Sequence, residues 1–302
     1  MNNYVKWLKD NHVTIFLFHG VVEKDDQPVR NANRKHIEAK YFEEVLLNLK
    51  KTGTPISMDE LLHCLLEKKA LPSKSFCISF DDGFENNYSL AAPILDKLNI
   101  PAIFYITTKF IDENTMSWID QISYSICCTK KTEIMIPELG IKFKLSDTLE
   151  KIFFLNEIRN LVKNNKNINI EELTNYIFDA LGVEKTVSLD TPLDKKMTWD
   201  QVKKLSQEKK FLIGGHSHTH PILSFLDSGS LEDEISTSLR FLKSKLGTEI
   251  PHYSYPEGAK NSYSEEVIDC LRKHGILCCP SAIMGSNSIN SDLFNLRRVT
   301  VT

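Results

Sequence analysis

The sequence predicts an α/β protein whose parallel strands form a β/α barrel. Short, near-continuous apolar runs rich in β-branched and aromatic residues recur along the chain, and stretches of helical periodicity separate them. Strands apolar at every position belong in a sheet covered on both faces, and their alternation with helices implies parallel connections. With this many units in one chain, a barrel is favoured over an open sheet.

The elements follow in order. Val13–Phe18 (VTIFLF) is the first strand. Tyr41–Lys51 is a helix with Phe42, Val45, Leu46 and Leu49 on one face, and Met58–Lys68 is a second, N-capped by Ser57. Phe76–Phe80 (FCISF) and Ala102–Ile106 (AIFYI) are strands on either side of a helix at Asn86–Leu98. The rhythm resumes with helix Trp199–Gln207, strand Phe211–Gly214, helix Leu231–Leu246, strand His252–Tyr255 (HYSY) and helix Tyr263–His274. A weaker strand is expected near Ile276–Cys279.

From about Thr115 to Lys196 the sequence turns rich in Lys, Asn and Glu and reads as mostly helical, with KNNKNIN as a loop. Because the strand–helix rhythm returns at Met197, this stretch is expected to be an insertion on one barrel domain spanning residues 1–302, forming a wall of the cleft. Trp118 and Trp199 are expected in the core, with stacking on sugar faces the alternative.

Composition narrows the function. The chain of 302 residues is 41% hydrophobic and 25% charged, ordinary globular values, with a formal net charge of −3. That balance argues against a nucleic-acid partner, and Arg297–Arg298 is too short for a basic patch. No apolar run approaches the roughly 18–20 residues of a membrane helix. Val13–Phe18 is too short for a secretory signal core, so a location in the cytoplasm or at the inner membrane face is expected. The seven cysteines form no C-x-x-C pair and are expected to be buried thiols in a reducing compartment.

Four polar clusters stand at the downstream ends of four strand candidates: His19-Gly20, Asp81-Asp82-Gly83, the HSHTHP block at His216–Pro221, and Pro256-Glu257-Gly258. Barrel enzymes build their active sites from the loops after each strand. Three histidines within five residues are rare in a core, and imidazole is the commonest metal ligand at neutral pH. His216 and His220 are the better pair, with His218 the weaker candidate. Two His and one carboxylate with an open position suit a catalytic zinc-type site or another divalent ion.

SFDDG at Ser79–Gly83, HSHTHP at His216–Pro221 and YPEG at Tyr255–Gly258 resemble the signature blocks of polysaccharide deacetylases, the family-four carbohydrate esterases. Weaker similarity runs from roughly His19 to Val301. The resemblance implies a distorted β/α barrel of about seven strands. It makes Asp81 the general base and Asp82, His216 and His220 the ligands of one divalent ion, zinc foremost, with cobalt, nickel, manganese or iron as alternatives. Tyr255, Pro256 and Glu257 take the place of the substrate and oxyanion block.

Three departures stand out. The late Leu-x-His block that supplies the acid is absent, so His19, in a block like that of the permuted branch, is the candidate acid. Glu257 replaces the usual aromatic, and the upstream Arg that orients the base is missing. The implied activity is metal-dependent removal of an N-acyl group, acetyl foremost, from a sugar of a surface polysaccharide or glycoconjugate precursor. Alternatives are a deformylase, an amidase on a non-sugar amide, or an inactive sugar-binding barrel. Oligomeric state is not legible.

Overall fold

A computed structural model describes residues 4–302, so residues 1–3 of the expected domain lie outside the described residues. Strand β1 (His12–Phe18) is buried at every position after the first. The short strands β2 (Gly20–Val22) and β3 (His36–Glu38) pair with each other. Helix α1 (Ala39–Thr52) buries the predicted face of Phe42, Val45, Leu46 and Leu49. After β4 (Thr54–Pro55), helix α2 (Met58–Leu66) starts at Ser57, whose hydroxyl accepts the Glu60 N–H at 3.1 Å in a capping box. Strand β5 (Ser75–Phe80) is wholly buried. The helix expected over Asn86–Leu98 is divided into a π-helical turn, Asn87–Ala91, and α3 (Ala92–Lys97). Pro93, at the start of α3, has no N–H to continue a regular ladder. Strand β6 (Ala102–Ile106) and helix α4 (Thr108–Glu113) follow.

The inserted stretch contains α5 (Trp118–Cys128), an antiparallel hairpin of β7 (Glu133–Ile136) and β8 (Ile141–Lys144), α6 (Thr148–Asn164) and α7 (Ile170–Leu181). The hairpin was not expected, because only Ile134, Ile136 and Phe143 turn inward among charged neighbours. These elements bury a core of their own around Ile122, Ile126, Phe154, Ile158 and Ile177. The ends of the stretch meet where the Lys196 N–H donates to Asn114 Oδ1 at 2.9 Å. Ion pairs Arg30–Asp194 at 2.5 Å and Lys35–Asp120 at 2.8 Å tie it to the segment after β2.

The chain returns through α8 (Trp199–Gln207), β9 (Phe211–Gly215), α9 (Ser228–Leu246), α10 (Glu265–Lys273), β10 (Pro280–Met284), β11 (Asn287–Ser288) and β12 (Leu296–Thr300). The sheet path is β10-β12-β1-β5-β6-β9, with every pair on it parallel. Expectation and structure differ at the closing side. His252–Tyr255 is not a ladder strand: single bridges, Gly215 to Tyr253 and His252 to Cys278, carry the pairing from β9 toward β10. Pro251 and Pro256 flank this segment and lack the N–H groups a longer ladder needs. The strand expected near Ile276–Cys279 begins later, at Pro280, and β12 was not expected at all.

Successive strand residues face opposite sides. Phe16, Phe76, Phe80 and Phe104 pack with α1 and α3, whereas Ile15, Cys77, Ile103, Tyr105 and Leu296 pack together on the other face. Phe80 stacks on Phe18 at 5.4 Å and on Phe104 at 5.1 Å. Each ring contributes roughly 1.5–3 kcal/mol by burial, which holds three neighbouring strands in register. Arg298, two residues beyond Leu296 on β12, is fully buried.

Candidate active site

The polar clusters converge at the C-terminal ends of the parallel strands. His19 follows β1, Asp81 and Asp82 follow β5, and His216 follows β9. Leu17 and Thr300 join them as lining of one cleft of about 240 Å³.

Backbone shape decides which side chains enter the cleft. Asp82 has φ +76° and Gly83 φ +81°, so the chain turns sharply where β5 ends and both carboxylates face inward. Ser217, His220 and Glu257 also take positive φ, at 65°, 66° and 62°. Non-glycine residues pay a strain of about 1–3 kcal/mol in such conformations, and strain of this kind clusters at functional sites. Gly214 permits close packing beneath the site: a Cβ there would lie 2.4 Å from the Tyr105 ring.

Asp82, His216 and His220 form a donor set whose ligand atoms lie within 4.8 Å of one another. Asp82 Oδ1 is 3.6 Å from His216 Nε2 and 3.4 Å from His220 Nε2. The His216 Nδ1–H donates to the Ser254 carbonyl at 2.8 Å, which turns Nε2 toward the set. His220 is held by stacking on Phe110 at 5.8 Å and by its N–H donating to Ser217 Oγ at 2.9 Å. Two imidazole nitrogens and one carboxylate, anchored from behind and open to the cleft, fit a divalent cation. Burial lowers the His216 pKa to about 4, against the upward pull of Asp81. Burial would raise the Asp82 pKa, but the hydrogen bond and charge of His220 hold it well below the carboxylate range.

Asp81 is held by Arg298. Nη1 donates to Oδ1 and Nη2 to Oδ2, each at 2.8 Å, and Nε donates to the Ser281 carbonyl at 2.7 Å. Burial would raise the Asp81 pKa, but the Arg298 charge outweighs it and the carboxyl stays low and ionised. The Arg partner of Asp81 that was missed upstream thus stands downstream, on the last strand. The signal was a basic residue at an inward position of the β-rich run LRRVTV.

His19 also lines the cleft, and its carbonyl accepts the Asn87 side-chain amide at 2.7 Å. Burial lowers its pKa, with Asp82 and Asp81 pulling the other way. His274, the one histidine after the YPEG block, pairs with Glu232 at 2.8 Å and takes no part in the cleft lining. His218 points elsewhere too: its Nδ1 meets Thr108 Oγ1 at 2.8 Å and its ring lies beside Phe241.

Corrections fall on the third block. Tyr255 is fully buried, stacks on Tyr263 at 4.1 Å and donates its hydroxyl to the Phe294 carbonyl at 3.0 Å. Its side chain is a core element beneath the site and no substrate contact; Pro256 is buried likewise and does not line the cleft. Glu257 does line it and pairs with Lys163 of α6 at 2.6 Å. Trp118, expected in the core, lines the cleft with Ile119, Arg159 and Lys163 of the insertion, which therefore builds one wall. Trp199 lies on α8 and donates its Nε1–H to Asp112 at 2.9 Å. Sequence reasoning also missed Lys35, which pairs with Asp120 and reaches to 3.8 Å from Asp82.

Residues 68–278 match the family of polysaccharide deacetylases. That span contains Asp81, Asp82, His216, His220 and Glu257, and leaves His19 and Arg298 outside. Among solved structures, the chain is similar to the Streptococcus pyogenes deacetylase PplD in complex with acetate, at 16% identity, TM-score 0.63, and coverage of 96% of this chain and 92% of that one. IcaB from Ammonifex degensii gives 16% identity and TM-score 0.61, over 97% and 93% of the two chains. A de-N-acetylase from Aggregatibacter actinomycetemcomitans gives 18% and 0.59, over 95% and 94%. At these identities the likeness shows a shared fold. A search of curated proteins finds no match. Among the described residues, no helix is long and apolar enough to cross a membrane.

Proposed function

Because the chain belongs to the polysaccharide deacetylase family, we propose that it is a metal-dependent hydrolase that removes an N-acetyl group from a sugar of a polysaccharide or glycoconjugate precursor. The observation that carries this reading is the juxtaposition of two differently held carboxylates. Asp82 belongs to the His216–His220 donor set, whereas Asp81 is locked by Arg298 beside it. A binding module would need no second, separately oriented carboxylate.

The chemistry follows from the side chains. A divalent cation held by Asp82, His216 and His220 would lower the pKa of water to about 7 and polarise the acyl carbonyl. Asp81, ionised and oriented, accepts the proton of the attacking water. It can do so while bonded to Arg298, because each carboxylate oxygen has a second lone pair. His19, across the cleft, gives its proton to the nitrogen that leaves. The Glu257 N–H supplies a donor for the oxygen that becomes negative as water adds. The products are an amine on the sugar and a carboxylate.

Zinc is the first ion to try and the cytoplasm the setting we propose, although the expectation of buried thiols fails at Cys127 and Cys128, which are exposed. The test is acetate and formate release from a panel of N-acetylated sugars, N-formylated sugars and small cyclic amides by zinc-loaded protein. Acetate from the acetylated sugars alone supports the reading. Hydrolysis confined to formyl sugars or cyclic amides replaces it with the deformylase or amidase. Metal uptake with no turnover on any of them leaves a sugar-binding barrel.

A further inference from the structure

We propose that the wall built by the insertion is an anion subsite, in which Arg159 reads a carboxylate or phosphate carried by the sugar substrate. The inference rests on the sugar reading above and narrows its substrate class.

The argument starts from unbalanced charge. Three cationic side chains line the cleft: Lys35, Arg159 and Lys163. Lys35 is neutralised by Asp120 at 2.8 Å, and Lys163 by Glu257 at 2.6 Å. Arg159 has no carboxylate within ion-pair distance among the described residues. Its guanidinium makes a long hydrogen bond, from Nη1 to Asn156 Oδ1 at 3.4 Å. It is nevertheless half-buried at the cleft, between the fields of Asp120 and Glu257. Burial lowers its pKa in spite of those two carboxylates, the sign of a charge short of partners.

A partly buried cation without a counter-charge is costly, and a guanidinium presents a planar fork that matches two oxygens on one atom. Carboxylate and phosphate share that chemistry. Of the three carboxylates that line the cleft, Asp81 is balanced by Arg298, Glu257 by Lys163, and Asp82 belongs to the cation's donor set. Trp118 and Ile119 stand on the same wall and offer apolar surface to the face of a sugar ring. Arg159 and Lys163 are four residues apart on α6, so one helix face presents both cations, only one of them free.

The test uses zinc-loaded protein and four probes: N-acetylglucosamine, N-acetylglucosamine 1-phosphate, UDP-N-acetylglucosamine and an N-acetylhexosaminuronic acid. Calorimetry gives Kd, and acetate release gives kcat and KM. The wild type should bind at least one anionic probe tenfold or more tightly than the neutral sugar. Arg159→Gln should raise KM for that probe at least tenfold more than for the neutral sugar, with kcat little changed, and Arg159→Lys should recover part of the loss. Lys163→Gln should have the smaller effect. Whether the phosphates or the uronate respond names the source of the anion. Equal binding of neutral and anionic probes, or equal losses for both in Arg159→Gln, overturns the inference. Acetate released from the neutral sugar alone also overturns it and leaves the deacetylase reading intact. Tight, Arg159-dependent binding with no acetate release supports the subsite and removes the deacetylase reading. Both positions lie on one face of α6, and thermal melts check that all three variants fold.

Discussion

Arg298 and Asp81 meet in a two-pronged ion pair, with both hydrogen bonds at 2.8 Å, across 217 residues of sequence. The last strand of the chain thereby orients the proposed base at the end of β5. Arg298 does not line the cleft, so it acts on the reaction through Asp81 alone.

Lysine at position 298 would keep the charge but lose the fork. Arg298→Lys is expected to lower kcat about 10²-fold, the scale of a small misplacement of a reacting group, with bound metal unchanged. Arg298→Met leaves a buried carboxylate unpaired and should cost about 3–5 kcal/mol of stability. Kinetics, metal analysis and melting curves check both. Full kcat in Arg298→Lys would remove the positioning role.

His19 should matter in proportion to how poor the leaving group is. His19→Asn is expected to slow release of acetate from an acetylated amino sugar by roughly 10²–10⁴-fold. Hydrolysis of an activated aryl acetate, whose leaving group needs no proton, should fall far less. Equal losses on both substrates would show that His19 is not the acid.

The two histidine positions of HSHTHP that differ most in placement make a paired test. His216→Ala should lose the cation, because Nε2 belongs to the donor set, whereas His218→Ala should keep it, because its ring pairs with Thr108. Metal content per chain decides this without any assumption about substrate.

His252 provides a pH-dependent contribution away from the cleft. Burial lowers its pKa, but Cys278 Sγ at 3.0 Å and the Asp59 carboxylate at 2.6 Å outweigh that and raise it to about 9. A raised histidine pKa stabilises the fold fully below the unfolded value of about 6.5, and that stabilisation is lost as pH rises through about 9. The Tm advantage of the wild type over Asp59→Asn should therefore be largest near pH 6 and shrink above pH 9. An advantage that does not change with pH would contradict the ion pair.

Legibility in the sequence tracked distance along the chain. The staves at Val13–Phe18, Phe76–Phe80 and Ala102–Ile106 are within a residue of β1, β5 and β6, because a strand buried on both faces announces itself in five or six consecutive apolar residues. The helix at Trp199–Gln207 was legible from its period, and the structure adds a capping box at Thr198. By contrast, the hairpin of β7 and β8 carries its pattern on three inward residues and was read as helix.

Sequence by itself determined the strand–helix alternation, the resemblance to polysaccharide deacetylases and the adjacency of Asp81 to Asp82 and of His216 to His220. These are local patterns, carried by residues a few positions apart. The tertiary structure alone decided that Arg298 supplies the missing partner of Asp81, that Tyr255 is core, and that Trp118 and Arg159 face the cleft. Each of those depends on which strands become neighbours and how the insertion folds back. Contacts formed by chain closure over a hundred residues or more leave no periodicity for a sequence to display.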